Sequence, residues 1–428
     1  MSDSTNSSKG NMLAIGVCFA LFFMIAFVTN FAGAMGPILK NQFGASNMAS
    51  QLGSAANFFA YFFMGIPGGL ILKRKGYKFT SLLAAAVGFI GVGVQLASAY
   101  SSPSSAFSVY VAGAFVAGLS MCLLNLVVNP LLNTLGGGGN KGNQLVQCGC
   151  SLNSIGATLS PMILGWLVGG EVAKAHVGQA VPALVIAMAI FAVAFVVIAF
   201  SKIPEPHLET AEERANRSPV LKDIFETLKF RHFTLGALAI FMYITIESGI
   251  PNMAMNYMTS EKIGDAANPA YVGTVVAGSV CGAYWFCMML GRLVGSALGA
   301  KLSSRLMITV CSILGIALML ATMYLPVKMV SVCGKEFPLS MCTMLLCGLC
   351  TSVMWGGIFN MAAEGLGKYV PMGSGIFMTM VVGGLMLPVQ GMIADRIGFL
   401  NSYWLTVGLF AYVLFYALIG SRVSKRAE

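Results

Sequence analysis

AVPALVIAMAIFAVAFVVIAFSKIPEPHLETAEERANRSPVLKDIFETLKFRHF, residues 180–233, is the stretch that decides the fold. Its first part, 180–200, is wholly apolar and carries no charge. Roughly 20 such residues cross a hydrocarbon layer about 30 Å thick as one helix. Its second part, 201–233, holds Pro204, Pro206, Glu212, Glu213, Arg214, Arg217, Lys222 and Arg231 and is the one long polar segment of the chain. On either side of it the apolar pattern repeats almost end to end. The 428 residues are 57% hydrophobic and only 9% charged, where a soluble domain is roughly a quarter charged. The bilayer is therefore the expected solvent. Backbone polar groups at that depth must pair within their own segment, and these runs lack the alternation of barrel strands, which leaves helices.

Hydropathy, with Gly, Pro and charge as punctuation, predicts about twelve spans. Six run 12–39, 49–72, 80–99, 107–135, 145–169 and 180–200, and six more run 234–257, 271–300, 305–325, 338–363, 373–392 and 400–420. The fifth is the weakest, diluted by Gln147, Asn153 and Ser154. The expected organisation is a six-helix bundle over 1–200, a cytoplasmic linker over 201–233 and a second six-helix bundle over 234–428. With both termini in the cytoplasm, all but Lys40, Lys174, Lys262, Lys328, Lys335 and Arg396 of the 25 Lys and Arg fall on the cytoplasmic side, as the positive-inside rule requires. The net charge of +10 thus reports orientation, and no nucleic-acid partner is expected. Features recur between the halves: Pro37 answers to Pro251, and Gly156 with Pro161 answers to Gly383 with Pro388, as parallel repeats would leave.

Two six-span halves around a charged loop resemble the major facilitator superfamily. Gly69-Leu70-Ile71-Leu72-Lys73-Arg74-Lys75-Gly76-Tyr77-Lys78 resembles that family's cytoplasmic signature, with Lys73 where the family usually has Asp. This form is similar to the fucose, galactose and glucose proton symporters, as are Asn129-Pro130, Asn153-Ser154-x-Gly156, the set Tyr243, Glu247, Asn256 and Tyr257, and Gly291-Arg292-Leu293. The resemblance implies an all-α membrane protein with the major facilitator fold, two pseudo-symmetric six-helix bundles. It also implies a secondary active transporter, in the inner membrane, that moves a hexose such as glucose, galactose or fucose, or a derivative, by alternating access with proton symport. Proton-linked members typically add an Asp in the first span and a Glu in the fourth. Here these positions fall near Pro37 and at Asn125, neither of which ionises, and a family Gln of the fifth span falls at Cys150. Coupling is then expected to rest on one other carboxyl, to use another ion such as sodium, or to be absent.

That carboxyl is Glu247, the one acidic residue near the middle of a span. Desolvation favours the neutral form of a carboxyl, so proton uptake there can be linked to solute binding; the alternative is a protonated Glu that only bonds a neighbouring helix. A sugar presents many hydroxyls, each donor and acceptor, so amides that do both and an aromatic surface are the expected lining. Asn30, Asn57, Asn125, Asn129, Asn153, Asn252, Asn256, Asn360 and Gln390, with Tyr243 and Trp355, are the candidates for substrate binding, Asn252, Asn256 and Asn129 first among them. Polar side chains also pin membrane helices together at about 0.6 kcal/mol each, the structural alternative for each one. Arg292, placed at the cytoplasmic end of the eighth span, is a candidate gating residue with Lys73 and Arg74, and no Lys or Arg reads as central to a cavity. Gly391 to Gly398 copies the cytoplasmic signature yet falls outside on this topology. Gly65, Gly68 and Gly69 read as small-residue packing.

The expected partners are a sugar, a proton (or sodium) and the lipid bilayer, for a monomeric protein without a metal or cofactor. Cys347-x-x-Cys350 has no second pair and apolar flanks. No nucleophile with a His partner stands out, and His176, His207 and His232 fall in predicted loops, so an enzyme is not expected. The competing readings are a facilitator or exporter of another small solute without proton coupling, and a transport-dead receptor or scaffold.

Overall fold

Helices satisfy every backbone group locally, and the computed structural model builds the chain almost wholly from them. It describes residues 2–34, 52–167, 177–210, 219–260, 262–263, 266–272, 274–299, 301–332 and 334–423. The first half holds α1 (Ser2–Ala34), α2 (Leu52–Ala97), α3 (Pro103–Leu135), α4 (Gly139–Leu167) and α5 (Val181–Phe200). After the short α6 (Val220–Leu228), the second half holds α7 (Arg231–Thr259), α8 (Thr274–Gly299), α9 (Ser304–Tyr324), α10 (Ser340–Thr351), α11 (Met354–Ala363), α12 (Val370–Thr379), α13 (Leu387–Ile397) and α14 (Tyr403–Phe415). Ten helical stretches among the described residues are long and apolar enough to cross a membrane. One of these, the 46-residue α2, holds two spans that break at Gly76 (φ 82°), where the sequence predicts the basic loop. The polar α4 is the twelfth pass, uncounted by composition. α10 with α11 makes the tenth pass, and α12 with α13, joined by the 3-10 turn Met380–Met386, makes the eleventh.

The internal repeat is a packing repeat. A Cβ on Gly156 of α4 would lie 2.4 Å from the Phe23 carbonyl of α1, and one on Gly383 would lie 2.3 Å from the Phe241 carbonyl of α7. The fifth pass thus closes on the first as the eleventh closes on the seventh, each at a glycine that lets backbones touch. Hydrogen bonds follow the same pairing: Asn153 Nδ2 donates to Phe22 O at 3.1 Å, and Thr245 Oγ1 donates to Gly383 O at 2.9 Å. Pro37, the expected match to Pro251, lies outside the described residues.

Pro251 removes one N–H from α7, and its neighbours repair the damage. The Glu247 carbonyl, left without its donor from residue 251, receives Tyr284 OH at 3.4 Å, and the Ile250 carbonyl receives Tyr403 OH at 2.9 Å. These two bonds tie α7 to α8 and α14 at the depth where Glu247 sits.

The halves meet along two seams. Gly65 and Gly69 of α2 face α12: a Cβ on Gly65 would lie 2.6 Å from the Gly375 carbonyl. Gly68 faces Leu126 and Leu123 of α3 within its own half. On the second seam α4 meets α8, with Ser296 Oγ at 3.5 Å from Gln144 O and Gly299 beside Asn143. The end of the molecule that carries α6, here the linker side, is also where α14 finishes, since Arg305 Nε donates to Ser421 Oγ at 3.3 Å. The segment Gly391 to Gly398 lies at the opposite end: the ring of Phe399 just beyond it lies tilted, 6.1 Å from that of Tyr257, at the far end of α7.

Candidate functional site

Between the halves, one turn before Pro251 on α7, lies a cavity of about 200 Å³. α4 presents Cys150, Asn153, Ser154 and Ala157 to it, a spacing of i, i+3, i+4 and i+7 that places all four on one helical face. α7 presents Tyr243 and Glu247, again i and i+4, and α8 presents Trp285 and Arg292, seven residues apart. Tyr61 of α2, Asn125 of α3, Thr29 of α1 and Trp355 of α11 complete the polar and aromatic wall.

Its centre is an ion pair. Arg292 donates from one terminal nitrogen to Glu247 Oε1 at 3.2 Å, and the two side chains are only 9% and 14% exposed. Tyr243 OH donates to the same carboxylate oxygen at 2.7 Å. The other terminal nitrogen of Arg292 reaches across to the first half, to Ser154 Oγ at 2.7 Å, Cys150 O at 3.3 Å and Asn153 Oδ1 at 3.4 Å. Burying either charge alone is costly, so each partner makes the other tolerable at this depth. Arg292 Nε and Thr29 Oγ1 have no hydrogen-bond partner among the described residues, although both residues line the cavity. Buried polar atoms are rarely left so, and both are available to a solute hydroxyl.

The structure corrects two expectations here. Arg292 is not at the end of its span but two turns inside it, aimed at the cavity, because Glu247 and α4 together supply the acceptors that a snorkelling side chain would find at the surface. A central cation therefore exists. Asn252 and Asn256, ranked first by sequence, are exposed, and among the described residues their side chains bond to each other, Asn256 Nδ2 to Asn252 Oδ1 at 3.4 Å. Neither lines the cavity, although Ser248, one turn before Asn252, does.

The remaining candidates divide by location. Asn125 lines the cavity and donates to Tyr61 OH at 2.9 Å. Asn129, fully buried one turn below, donates to the Asn125 carbonyl at 2.9 Å and accepts from Trp355 Nε1 at 3.0 Å, a bond between halves. Asn360 accepts from Asn133 Nδ2 at 2.7 Å and donates to Ser304 Oγ at 3.0 Å on the linker side, and Gln147 donates to Val353 O at 2.9 Å nearby. Asn57 is buried beside Gly118 at the crossing of α2 and α3, and Gln390 is buried beside Gly249; neither lines the cavity. Asn30 belongs to α1, but its side chain lies outside the described residues. Ser154, Trp285 and Thr29 were not singled out from sequence for this site. The face spacing on α4 carries Ser154, and the seven-residue interval to Arg292 carries Trp285.

At the linker side, the basic loop is fastened to the segment after α5. Glu205 accepts the backbone N–H groups of Tyr77 and, at 2.9 Å, Lys78, capping the second limb of α2 where Gly76 turns the chain. Tyr77 OH meets His207 Nδ1 at 2.6 Å, the Glu209 N–H donates to Lys73 O at 2.9 Å, and Lys73 Nζ pairs with Asp223 of α6 at 2.7 Å. Burial pushes Glu205 above the usual carboxylate value against the pull of its two N–H donors, and burial brings His207 down to about 4. His232, expected in a loop, opens α7 instead, fully buried, with Nε2 at 2.7 Å from Glu364 O. Cys347 and Cys350 are buried thiols on α10.

Comparison with known proteins agrees with this architecture. The family described as Major Facilitator Superfamily matches residues 17–386. A glucose/galactose transporter of Brucella abortus is 28% identical over 98% of this chain and 96% of its own, and the L-fucose-proton symporter of Escherichia coli is 22% identical over 97% and 95%. Among solved structures, a major facilitator transporter in the outward conformation superposes with a TM-score of 0.81 at 18% identity, covering 97% of this chain and 100% of that one. A proton:xylose symporter superposes with a TM-score of 0.70 at 11% identity, over 98% and 97%.

Proposed function

The chain belongs to the major facilitator superfamily, and on that premise we propose that it is a proton-coupled secondary transporter of a neutral hexose, such as glucose, galactose or fucose. The observation that carries this reading is the cavity itself: hydrogen-bonding side chains and two Trp rings surround a buried pair whose charges cancel. A solute without charge fits such a wall. Asn125, Asn153, Tyr61, Thr29 and the Arg292 Nε would meet its hydroxyls and Trp285 or Trp355 its apolar ring face. Glu247 would carry the proton, as the only Asp or Glu among the cavity residues. The names of the glucose/galactose and fucose relatives support the substrate class.

The proposed organisation has bundles over 1–200 and 234–428, a cytoplasmic linker over 201–233, both termini in the cytoplasm of a bacterial inner membrane, and a monomer as the working unit. The linker side is then cytoplasmic. The bonds between halves from Asn133 to Asn360 and from Gln147 to Val353 close that side, which makes this the outward-facing form. Lys73 would hold the gate through Asp223, with Arg74 beside it.

Counterflow of labelled glucose, galactose and fucose in proteoliposomes tests the reading. Exchange of at least one, accelerated by an inward proton gradient in the parent and indifferent to it in Glu247→Gln, is the expected result. No exchange of any neutral hexose would remove the substrate class. The presence of Arg292 in the wall favours one other reading, a sugar acid, and exchange of a hexuronate alone would establish it.

A further inference from the structure

Arg292 belongs to the second half, yet it makes three of its four hydrogen bonds to the first. The acceptors are all on one face of α4, and they stand where the seam between α4 and α8 ends and the cavity begins. Farther down the same seam lie Ser296 against Gln144 and Gly299 against Asn143. A chain that opens toward the linker side must part α4 from α8 there, and no separation of these helices can spare the bond from Arg292 to Ser154. The guanidinium cannot shed its charge. After separation, the acceptors left to it in its own half are Glu247 and the Tyr243 hydroxyl beside it.

From this we infer that Arg292 exchanges acceptors between the two conformations and thereby sets where the proton is bound and where it is released. This inference rests on the reading of Glu247 as the proton carrier. In the outward-facing form, Ser154, Asn153 and the Cys150 carbonyl satisfy most of the guanidinium, so Glu247 can hold a proton without leaving Arg292 bare. In the inward-facing form those acceptors are gone, and an uncompensated guanidinium at that depth is costly. The Tyr243 hydroxyl and water offer neutral acceptors, and the ionised carboxylate is the one counter-charge among the cavity residues. The O–H bond of the Glu247 carboxyl then breaks, its electron pair stays on the carboxylate facing Arg292, and the proton passes to water in the inward opening. The same bonds that hold the halves together thus couple protonation of Glu247 to the side that is open, and an inward proton gradient then drives symport toward the linker side.

No other charged group competes for this role among the cavity residues. Facing Glu247 are Tyr243 from its own helix, Arg292 with the Tyr284 hydroxyl at the Glu247 carbonyl from α8, and Cys150 from α4. The wall contributed by α1, α2, α3, α11 and the 3-10 turn Met380–Met386 offers Thr29, Tyr61, Asn125, Trp355 and Val381, none of which is charged.

The test is gradient-driven uptake of labelled hexose in proteoliposomes as a function of outside pH, with counterflow measured on the same preparations. Ser154→Ala removes one charge-assisted acceptor from the outward form only, so that form favours an ionised Glu247 more strongly. The pH of half-maximal uptake then moves to the acid side by about one unit, the size of one such bond. Asn153→Ala moves it the same way through a second acceptor, and Ser154→Thr, which keeps the hydroxyl, restores the parent profile. In Arg292→Gln the ratio of gradient-driven accumulation to the counterflow of the same preparation falls about ten-fold or more, since nothing compels release. Profiles of Ser154→Ala and Asn153→Ala that are lowered at every pH with an unmoved midpoint would make Arg292 a structural tie and overturn the exchange of acceptors, even with a coupled parent. A parent that counterflows hexose without regard to the gradient overturns it by another route, through Glu247, and a parent that moves no hexose refutes the transport reading itself.

Discussion

Glu247 and Arg292 are unequal members of one pair. A buried Glu deprived of its partner can take a proton and become neutral, whereas a buried Arg keeps its charge at any accessible pH. Glu247→Gln leaves the guanidinium with only the neutral acceptors of α4 and should cost about 1.5–3 kcal/mol of stability, nearly independent of pH. Arg292→Gln should cost most at alkaline pH, where the orphaned Glu247 must be kept neutral, and about 1.4 kcal/mol less for each pH unit toward acid. Urea or thermal unfolding of the detergent-solubilised variants at pH 5 and pH 8 measures both. Equal losses at the two pH values for Arg292→Gln would contradict the assignment of a buried, ionised pair. The sequence allowed Glu247 to be found, because an acidic residue amid apolar neighbours is visible in one dimension. Its partner was not visible, because Arg292 lies 45 residues away and its other acceptors lie 138 to 142 residues away. Asn252 and Asn256 lie one and two turns beyond the last cavity residue of α7, Ser248, a limit of depth that spacing alone does not reveal.

At the scale of the element, the span that hydropathy supported least is the one that carries most of the site. Gln147, Asn153 and Ser154 dilute the apolar run of α4, and they are the residues that meet Val353 and Arg292 across the interface. A helix in contact with a polar cavity and an opposing half has little lipid to face, so its composition drifts from that of a lipid-exposed span such as α5. Residues 203–210, with Asp223 of α6, show the complementary case, a polar strap legible as linker but whose grip on the turn at Gly76 depends on pairings 127 to 150 residues apart. That grip should loosen in acid. A free histidine binds its proton near 6.5, whereas His207 in place resists until about 4. Between those values the released strap binds more protons than the docked one, so docking weakens as pH falls through that window. Glu205, raised by burial, acts in the opposite sense, so Glu205→Gln serves as the control that isolates the histidine. Hydrogen exchange of residues 203–210 should rise as pH is lowered from 7 to 5, after correction for intrinsic rates, and His207→Phe should abolish the change. Protection that stays constant in the parent would refute the role of His207.

At the scale of the whole molecule, alternation requires two closures that cannot coexist. The linker side is closed here by side-chain bonds from Asn133 to Asn360, Gln147 to Val353 and Asn129 to Trp355, and by the backbone contact of Gly65 with Gly375. Each single bond between neutral groups contributes only about 1 kcal/mol. A closure made of several such bonds can therefore be undone by the binding energy of a small solute, which a large apolar interface would not permit. Fixing one of the bonds should abolish the balance. In a background without other reactive cysteines, Asn133→Cys with Asn360→Cys, joined by a short bifunctional thiol reagent, should hold the linker side shut. Transport should then fall to the level of empty liposomes while hexose binding from the opposite face persists, and cleavage of a reducible spacer should restore flux. Neither single variant should respond to the reagent in this way. Undiminished counterflow in the joined double variant would mean that the halves do not part at Asn133 and Asn360, and the alternation would have to proceed about some other axis.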